Sequence, residues 1–471
     1  MIGRKEEQKL LNELVLSDEA EFAVIYGRRR VGKTYLVRET FGNDFFFSYT
    51  GVANVNARRQ RNVFAKALRE HGWTPKDGEA AVPGDWFDAF NALRSLINEA
   101  NPQARLLIFI DEMPWMDNIK SDFIPALENF WNGWASGRKN IKLIACGSAS
   151  SWITKKIFRN KGGLYNRVTR QIALKPFTLA ECGEYFNGRG VAMNTQDLIE
   201  SYMIFGGIPY YLRMFEKRYS LALNVDKICF GETAPLRYEF DRLMDTLFIN
   251  PNKYIQVLET LHAKRQGMIR EALAKNIDFG NGGNLTKILL ELEECGFIRK
   301  YKPFGKGKNR ALYRLSDPFT AFHLSFIGRT SSENFWSSYA DNAGHRAWSG
   351  YAFEQVCLAH IGQIKRALGI SGILSDASSW ISHSGDNNAQ IDLVIDRNDR
   401  VINLCEIKFA NGPYEITRAY DSALREKIEI FRSETKTRKA LHLTMITTYG
   451  VKPGKYAGIV QSEVVMGDIV I

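Results

Sequence analysis

Two groups of residues in this chain have the types and spacing that chemistry demands. The first is Gly27-Arg28-Arg29-Arg30-Val31-Gly32-Lys33-Thr34, which satisfies G-x-x-x-x-G-K-[ST] at every specified position. Its glycines let backbone N–H groups curl around a β-phosphate, Lys33 reaches the β and γ oxygens, and the Thr34 hydroxyl ligates Mg²⁺. Gly27, Arg28, Arg29, Arg30, Val31, Gly32, Lys33 and Thr34 are therefore the expected ATP cradle. Its complement is Leu106-Leu107-Ile108-Phe109-Ile110-Asp111-Glu112, an apolar run that ends in two acids. Asp111 is expected to reach the magnesium and Glu112 to orient and polarise the attacking water, which suggests hydrolysis rather than nucleotide binding alone. In Cys146-Gly147-Ser148, Ser148 stands at a strand end, either sensing the γ-phosphate or holding the water, or simply closing a strand-to-helix turn. Arg167, in Gly163-Leu164-Tyr165-Asn166-Arg167, is a candidate cation for transition-state charge, in cis or across the boundary of a homo-oligomer. A solvated or structural ion pair is the plainer role for it.

The second group lies toward the C-terminus. Glu354 sits in Tyr351-Ala352-Phe353-Glu354-Gln355-Val356-Cys357, Asp392 in Gln390-Ile391-Asp392-Leu393-Val394-Ile395, and Glu406 and Lys408 in Leu404-Cys405-Glu406-Ile407-Lys408-Phe409. Residues i and i+2 of a strand face the same way, so Glu406 and Lys408 project together. Arg397-Asn398-Asp399-Arg400 reads as a turn, and a turn centred near Asp399 sets Asp392 directly opposite Glu406. Metal-assisted phosphodiester cleavage needs such a set. Asp392 and Glu406 would hold one or two Mg²⁺ or Mn²⁺ ions with the Ile407 carbonyl as a further ligand, and Glu354 would support the metal from a helix. Lys408 would orient or help deprotonate the metal-bound water and stabilise the growing charge. A solvated edge-strand Glu/Lys pair is the plainer alternative.

The elements that must position these groups are legible in the hydrophobic pattern. Phe22 to Tyr26, Phe45 to Tyr49, Leu106 to Ile110 and Lys142 to Ala145 read as short strands with helical stretches between them, a helix starting near Gly32. Continuous apolar strands alternating with helices predict a parallel sheet covered on both faces. From about Thr178 to Asp241 the pattern is mainly helical. Residues 251 to 316 resemble a winged helix-turn-helix, with helices at Tyr254–His262, Met268–Lys275 and Asn284–Cys295. A hairpin from Tyr301 to Leu315 follows, with Gly305 and Gly307 at its tip. Arg299, Lys300, Lys302, Lys306, Lys308 and Arg310 make this stretch basic, a candidate contact for a DNA backbone beside a recognition helix, or else a solvated face. The last region predicts a helix at Tyr351–Ala367, strands near Ile391–Ile395 and Val401–Phe409, a helix at Thr417–Arg432 and a strand at Ala440–Thr447.

Composition narrows the classes. At 471 residues the chain exceeds the usual length of one domain about threefold. Hydrophobic residues make up 45% and charged residues 24%, which argues against a mostly disordered protein. The 63 Lys and Arg exceed the 52 Asp and Glu, giving +11, which favours a polyanionic partner. The six cysteines stand far apart with no C-x-x-C pair, so reduced thiols are expected rather than a zinc site or a disulfide scaffold. The N-terminus has no apolar core of a secretion signal, and no run approaches the roughly 18 residues of a membrane helix. A cytoplasmic protein without a membrane partner is the expectation.

Together, Gly27–Thr34 with its three arginines, Ile110-Asp111-Glu112, Cys146-Gly147-Ser148, Leu164-Tyr165-x-Arg167 and Gly206-Gly207-Ile208-Pro209 resemble the archaeal-type ATPases. These belong to the AAA-like and STAND branch of P-loop NTPases. The resemblance covers about residues 1 to 240 and implies a RecA-like core with a helical lid, in which Gly207 and Pro209 help the lid read nucleotide state. Asn166 departs from it, standing where glycine is expected. The order helix-Glu354, Asp392, Glu406-x-Lys408 resembles the PD-(D/E)XK nuclease superfamily. More closely, it resembles the C-terminal domain that commonly follows such ATPase domains, over about residues 340 to 471. The expected architecture is α/β: an ATPase domain with lid at 1–245, a winged helix-turn-helix at 246–325 and a restriction-endonuclease-like domain at 336–471. The expected function is an ATPase coupled to a metal-dependent nuclease, or a regulatory switch whose last domain is an interaction module.

Overall fold

Strands β1 (Glu21–Tyr26), β2 (Phe47–Thr50), β3 (Leu106–Asp111), β4 (Ile141–Gly147) and β5 (Arg170–Ala173) form one sheet in the order β2-β3-β4-β1-β5. Every pairing in it is parallel. The computed structural model describes residues 1–76, 80–118, 121–159, 162–277, 282–305, 311–330, 332–339, 343–382 and 389–470. It divides into two compact units, Met1–Pro176 and Phe177–Ile471, of which the first carries this sheet.

β1, β3 and β4 read as uninterrupted apolar runs because both their faces are covered, and nearly all their residues are buried. The core on one side is aromatic. Trp86 packs edge-on against Phe64 and Phe123, with ring centroids 5.5 and 5.0 Å away. Aromatic groups bury large areas and add directional contacts, so this cluster fixes the helix Trp86–Glu99 against the helices Ala57–Glu70 and Phe123–Gly133. Crossover connections return each strand in parallel, which brings the C-terminal ends of β1, β3 and β4 to one edge. The three segments singled out for chemistry, Gly27–Thr34, Asp111-Glu112 and Ser148, all lie at that edge.

The second unit holds two further sheets. β6 (Met268–Ile269), β7 (Ile298–Tyr301) and β8 (Leu312–Leu315) form an antiparallel sheet in the order β6-β8-β7. The helices Asn252–Ala263, Arg270–Asn276 and Gly282–Glu294 precede its hairpin. β9 (Ser375–Ile381), β10 (Gln390–Arg397), β11 (Val401–Lys408), β12 (Ala440–Thr447) and β13 (Ser462–Val465) form a mixed sheet in the order β13-β12-β11-β10-β9. The β9–β10 and β10–β11 pairs are antiparallel, and the β11–β12 and β12–β13 pairs are parallel. The hairpin is tied to an edge of this sheet: Pro303 bridges Ser379 of β9, and the Phe304 N–H donates to the Ser379 carbonyl at 2.9 Å. Phe304 then packs on Phe431, centroids 5.1 Å apart.

Two histidines in this unit, His323 buried and His262 half-buried, predict its acid response. Burial holds His323 to about 4, and burial with Arg265 and Arg329 nearby holds His262 to about 4. The unfolded chain therefore takes up protons between about pH 6.5 and 4 that the folded chain refuses, so stability is complete above this window and falls as pH drops through it. For His323 the full effect is on the order of 3 kcal/mol. Urea midpoints measured at pH 7.5 and 5 should fall on acidification, and His323→Asn should flatten that slope; an unchanged slope would contradict the assignment.

All six cysteines are free and buried. No helix among the described residues is long and apolar enough to cross a membrane.

Candidate nucleotide site and acidic cluster

The glycine-rich loop leaves β1 and enters the helix Lys33–Phe41, whose N-cap is Gly32. Gly27 has φ +146°, and a Cβ on it would lie 2.2 Å from the Leu174 carbonyl oxygen, so only glycine fits. Gly32 has φ +93° with open space beside it, room for a ligand to approach the backbone. Arg4, a residue the sequence did not single out, braces the loop: its guanidinium donates to the Lys175 carbonyl at 2.6 Å and to the Val31 carbonyl at 3.4 Å.

Lys33 is folded back onto its own loop, its ammonium donating to the carbonyls of Gly27 and Arg28 at 2.9 and 3.0 Å. Burial lowers its pKa, opposed by Glu112, Cys146 and Asp111. The Thr34 hydroxyl donates to Asp111 Oδ2 at 2.8 Å, and the Glu112 N–H donates to Asp111 Oδ1 at 2.9 Å. Asp111 is pushed up by burial, with the Thr34 hydrogen bond pulling the other way. Glu112 adopts φ +47°, a left-handed backbone that glutamate rarely takes and that turns its side chain off the strand line. Its Oε2 accepts from the Ser148 hydroxyl at 2.8 Å and more weakly from the Ser148 N–H at 3.4 Å. The acid pair and the serine, 36 residues apart, are thus joined across the ends of β3 and β4.

A second unforeseen residue supports that turn. Gln60 is fully buried on the helix Ala57–Glu70. Its amide donates to the carbonyls of Val52 and Trp115 at 2.6 and 2.8 Å, and its oxygen accepts from the Tyr49 hydroxyl and the Val52 N–H at 2.7 and 3.1 Å. Trp115 follows Glu112 directly in the next turn, so Gln60 pins the segment that aims Glu112. Arg167 is not brought to this cluster. It is exposed, and its side chain makes no hydrogen bond or ion pair among the described residues. Asn166 before it has φ +58°, which explains why a residue tolerant of left-handed backbone stands where glycine was expected.

In the second unit β10 and β11 pair from Leu393 opposite Cys405 to Asp396 opposite Ile402, the expected phase, and the ladder ends one pair short of Asp392 and Glu406. Asp392 Oδ2 lies 3.5 Å from the Ile407 N–H. Lys408 Nζ is 3.7 Å from Glu406 Oε2. Glu406 is claimed by more than Lys408: Lys427 forms an ion pair with it, and the Tyr420 hydroxyl donates to it at 3.2 Å. Both come from the helix Arg418–Thr435, and their spacing of seven was a legible sign that they share its inner face. Glu354, on the helix Ala343–Ala359, is held by Arg314 of β8 at 2.7 Å. Burial and the neighbouring Asp392 raise Glu354 to about 7 against the pull of Arg314 and Lys408, and burial with Glu406 raises Asp392. The contacts bring Glu406, Lys408 and Asp392 together at the end of β11, with Glu354 held by Arg314 on the neighbouring helix.

The donor chemistry is that of a hard-cation site, but the arrangement does not fit a divalent ion. Among the described residues no three His, Cys, Asp or Glu side chains are disposed to hold a metal, and cations of the chain itself pair with Glu406 and Glu354. The basic hairpin also differs from expectation. Arg299 turns inward and donates to the Leu358 carbonyl at 2.7 Å, leaving Lys300 and Lys302 exposed. Lys306, Lys308 and Arg310 lie outside the described residues.

The parallel sheet, the glycine-rich loop and the paired acids define the first unit as a nucleotide-binding domain of the P-loop ATPase fold. Residues 1–215 match the family described as an ATPase domain predominantly from Archaea, so the chain carries an archaeal-type ATPase domain. That match runs past Pro176 through Gly206-Gly207-Ile208-Pro209, where a Cβ on Gly207 would lie 2.2 Å from the Phe177 carbonyl oxygen. Over 414 residues, 87% of each chain, the protein is 27% identical to an uncharacterized protein of Methanocaldococcus jannaschii. Its fold is similar to the Walker-type ATPase PABY2304 of Pyrococcus abyssi, with TM-score 0.50 and 17% identity over 69% of this chain and 96% of that one. The ORC2 protein of Aeropyrum pernix is a more distant likeness, with TM-score 0.43 and 15% identity over 72% of this chain and 96% of that one.

Proposed function

We propose that the chain binds Mg²⁺-ATP and hydrolyses it, and that this ATPase governs a nuclease-like C-terminal domain acting on DNA. The single observation that carries the first half is the pair of contacts Thr34–Asp111 and Glu112–Ser148, each at 2.8 Å. The Thr34 and Asp111 oxygens would hold a magnesium ion, which would supply positive charge beside the nucleotide phosphates. Lys33 leaves the Gly27 and Arg28 carbonyls for those phosphates. Glu112, once it leaves Ser148, accepts a hydrogen bond from the attacking water and aligns it. Arg167, exposed and uncommitted, suits action from a neighbouring subunit of a homo-oligomer.

The second half is supported by the convergence of Glu354, Asp392, Glu406 and Lys408 on the β10–β11 hairpin and its flanking helix. The helices and hairpin around β6-β8-β7 support a winged helix-turn-helix at 246–325, between an ATPase domain with lid at 1–245 and a nuclease-like domain at 336–471. The test is incubation of the full-length protein with DNA and Mg²⁺ or Mn²⁺, with and without ATP. Asp392→Ala should abolish cleavage; equal background cleavage by wild type and variant would end the nuclease reading.

A second reading, a STAND-like switch whose last domain only docks or assembles, is favoured by one observation: Glu406 and Glu354 are already neutralised by Lys427 and Arg314. It expects Lys33→Ala to destroy function in cells while Lys408→Ala does not. The absence of a long apolar helix accords with a cytoplasmic site of action.

A further inference from the structure

The turn that aims Glu112 is held from two sides. Glu112 itself stands at φ +47°, and a residue other than glycine keeps such a backbone only where its surroundings over-determine it. The short helical turn Met113–Met116 follows it directly. On the β2 side, Gln60 holds the Trp115 carbonyl and the Asn118 amide donates to the Val55 carbonyl at 3.1 Å. Gly51 lies so close that a Cβ on it would stand 2.6 Å from the Glu112 carbonyl oxygen. On the β4 side, Gly147 meets Pro114, where a Cβ would lie 2.8 Å from the proline ring. Asp117 completes that side. The Trp152 indole N–H donates to Asp117 Oδ2 at 2.8 Å, and Lys156 Nζ lies 3.2 Å from the same oxygen.

Trp152 and Lys156 belong to the segment that leads away from Ser148. It runs through the helical turn Ser150–Ile153 into Thr154–Phe158, one wide turn in which the Arg159 N–H donates to the Thr154 carbonyl at 2.8 Å. Wide turns of this kind are rare and concentrate at functional sites. Phe158, at its end, packs edge-on against Tyr26 with ring centroids 5.1 Å apart, and Tyr26 immediately precedes Gly27. The acid turn and the serine segment are therefore linked twice, by Glu112–Ser148 and by Asp117–Trp152, each at 2.8 Å. The two links fare differently in turnover. Glu112 releases Ser148 to reach water, whereas the bond between Asp117 and Trp152 involves neither group and persists. Its acceptor is a carboxylate, which makes it a charge-assisted bond. The Lys156 side chain is 40% exposed, so its ion pair is screened and adds little.

We propose that Asp117 is a positioning residue for ATP hydrolysis: through Trp152 it keeps the ends of β3 and β4 in register, so that Glu112 meets the attacking water once its contact with Ser148 opens. This rests on the reading of Glu112 as the group that aligns water. Misplacing a catalytic group by about 1 Å costs up to about 10²-fold in rate. Thr34 bonds to Asp111 and Lys33 to its own loop, so nucleotide binding does not depend on the clasp.

The test is steady-state phosphate release by the full-length protein with Mg²⁺ and ATP, with kcat taken per ATP-binding site so that a poorly folded fraction does not count. Asp117→Ala should lower kcat about tenfold while KM for ATP stays within about threefold, the pattern of a lost contribution to the transition state alone. Trp152→Phe keeps a buried ring but has no N–H to donate, and should lower kcat as far. Two residues that act through one bond lose little more together than singly, so the double variant should match the single ones. Asp117→Asn keeps an oxygen for the indole and gives up only the screened charge, and should restore kcat to within about twofold of wild type. Wild-type kcat in Asp117→Ala or Trp152→Phe overturns the proposal. So do losses that multiply in the double variant, or a KM that rises as far as kcat falls. A wild type that binds ATP yet frees no phosphate removes the hydrolysis reading and this role with it. Turnover by wild type with unimpaired single variants removes the clasp alone.

Discussion

Glu112→Gln is expected to lower the rate of ATP hydrolysis by about 10²–10⁴-fold while ATP affinity stays within about tenfold of wild type. The amide keeps the shape of the side chain and its ability to meet Ser148, but it loses the charge and basicity that polarise water. Asp111, the adjacent acid, is already bound to the Thr34 hydroxyl and the Glu112 N–H and is not free to compensate. Ser148→Ala separates two roles for the serine. If Ser148 only parks Glu112 before nucleotide arrives, its loss leaves turnover near wild type or faster; if it holds the water or the γ-phosphate, turnover falls with it. Phosphate release and nucleotide binding measured side by side check both variants, and an unimpaired Glu112→Gln would remove Glu112 from the chemistry.

The largest stability effect in the first unit is expected at Gln60. Gln60→Leu fills much the same volume but strips partners from the Val52 N–H and the carbonyls of Val52 and Trp115, and leaves the Tyr49 hydroxyl only the Gln60 backbone carbonyl at 3.2 Å. Buried groups left without partners cost about 1–3 kcal/mol each, so even with partial relaxation a loss of about 3–5 kcal/mol is expected. Gln60→Glu is a sharper probe, since it keeps an acceptor for Tyr49 while removing the two donated bonds and adding a buried charge. Denaturant unfolding measures the loss. Because Gln60 holds the Trp115 turn, the surviving folded protein should also hydrolyse ATP more slowly. A Gln60→Leu protein of wild-type stability would show that these hydrogen bonds carry no net weight.

The parts of the fold visible in the sequence are those whose burial leaves a mark on composition. β1, β3 and β4 are covered on both faces and so appear as unbroken apolar runs, with the catalytic candidates at their ends. β5 and β9 are edge strands with mixed exposure, and Arg170–Ala173 and Ser375–Ile381 have neither an apolar run nor strict alternation to reveal them. The nucleotide site was legible because phosphate binding dictates local spacing within eight residues. The acidic hairpin was legible because a turn near Asp399 dictates register. What escaped were residues whose roles depend on distant segments: Arg4 against Lys175, Gln60 against Trp115, and Arg314 against Glu354. The inward turn of Arg299 escaped for a related reason, since a run of cations gives no sign of which member finds a buried carbonyl. Tyr420 and Lys427 were within reach, because helical spacing alone puts them on one face.

The central claim is that this chain turns over ATP through the Gly27–Thr34 loop. Steady-state phosphate release by the full-length protein, with Mg²⁺ and with the metal chelated, compared with Lys33→Ala, addresses it most directly. The account predicts Mg²⁺-dependent release by wild type and loss of that release in Lys33→Ala. Release that persists in the variant, or a wild type that binds ATP with Mg²⁺ yet frees no phosphate, would contradict it.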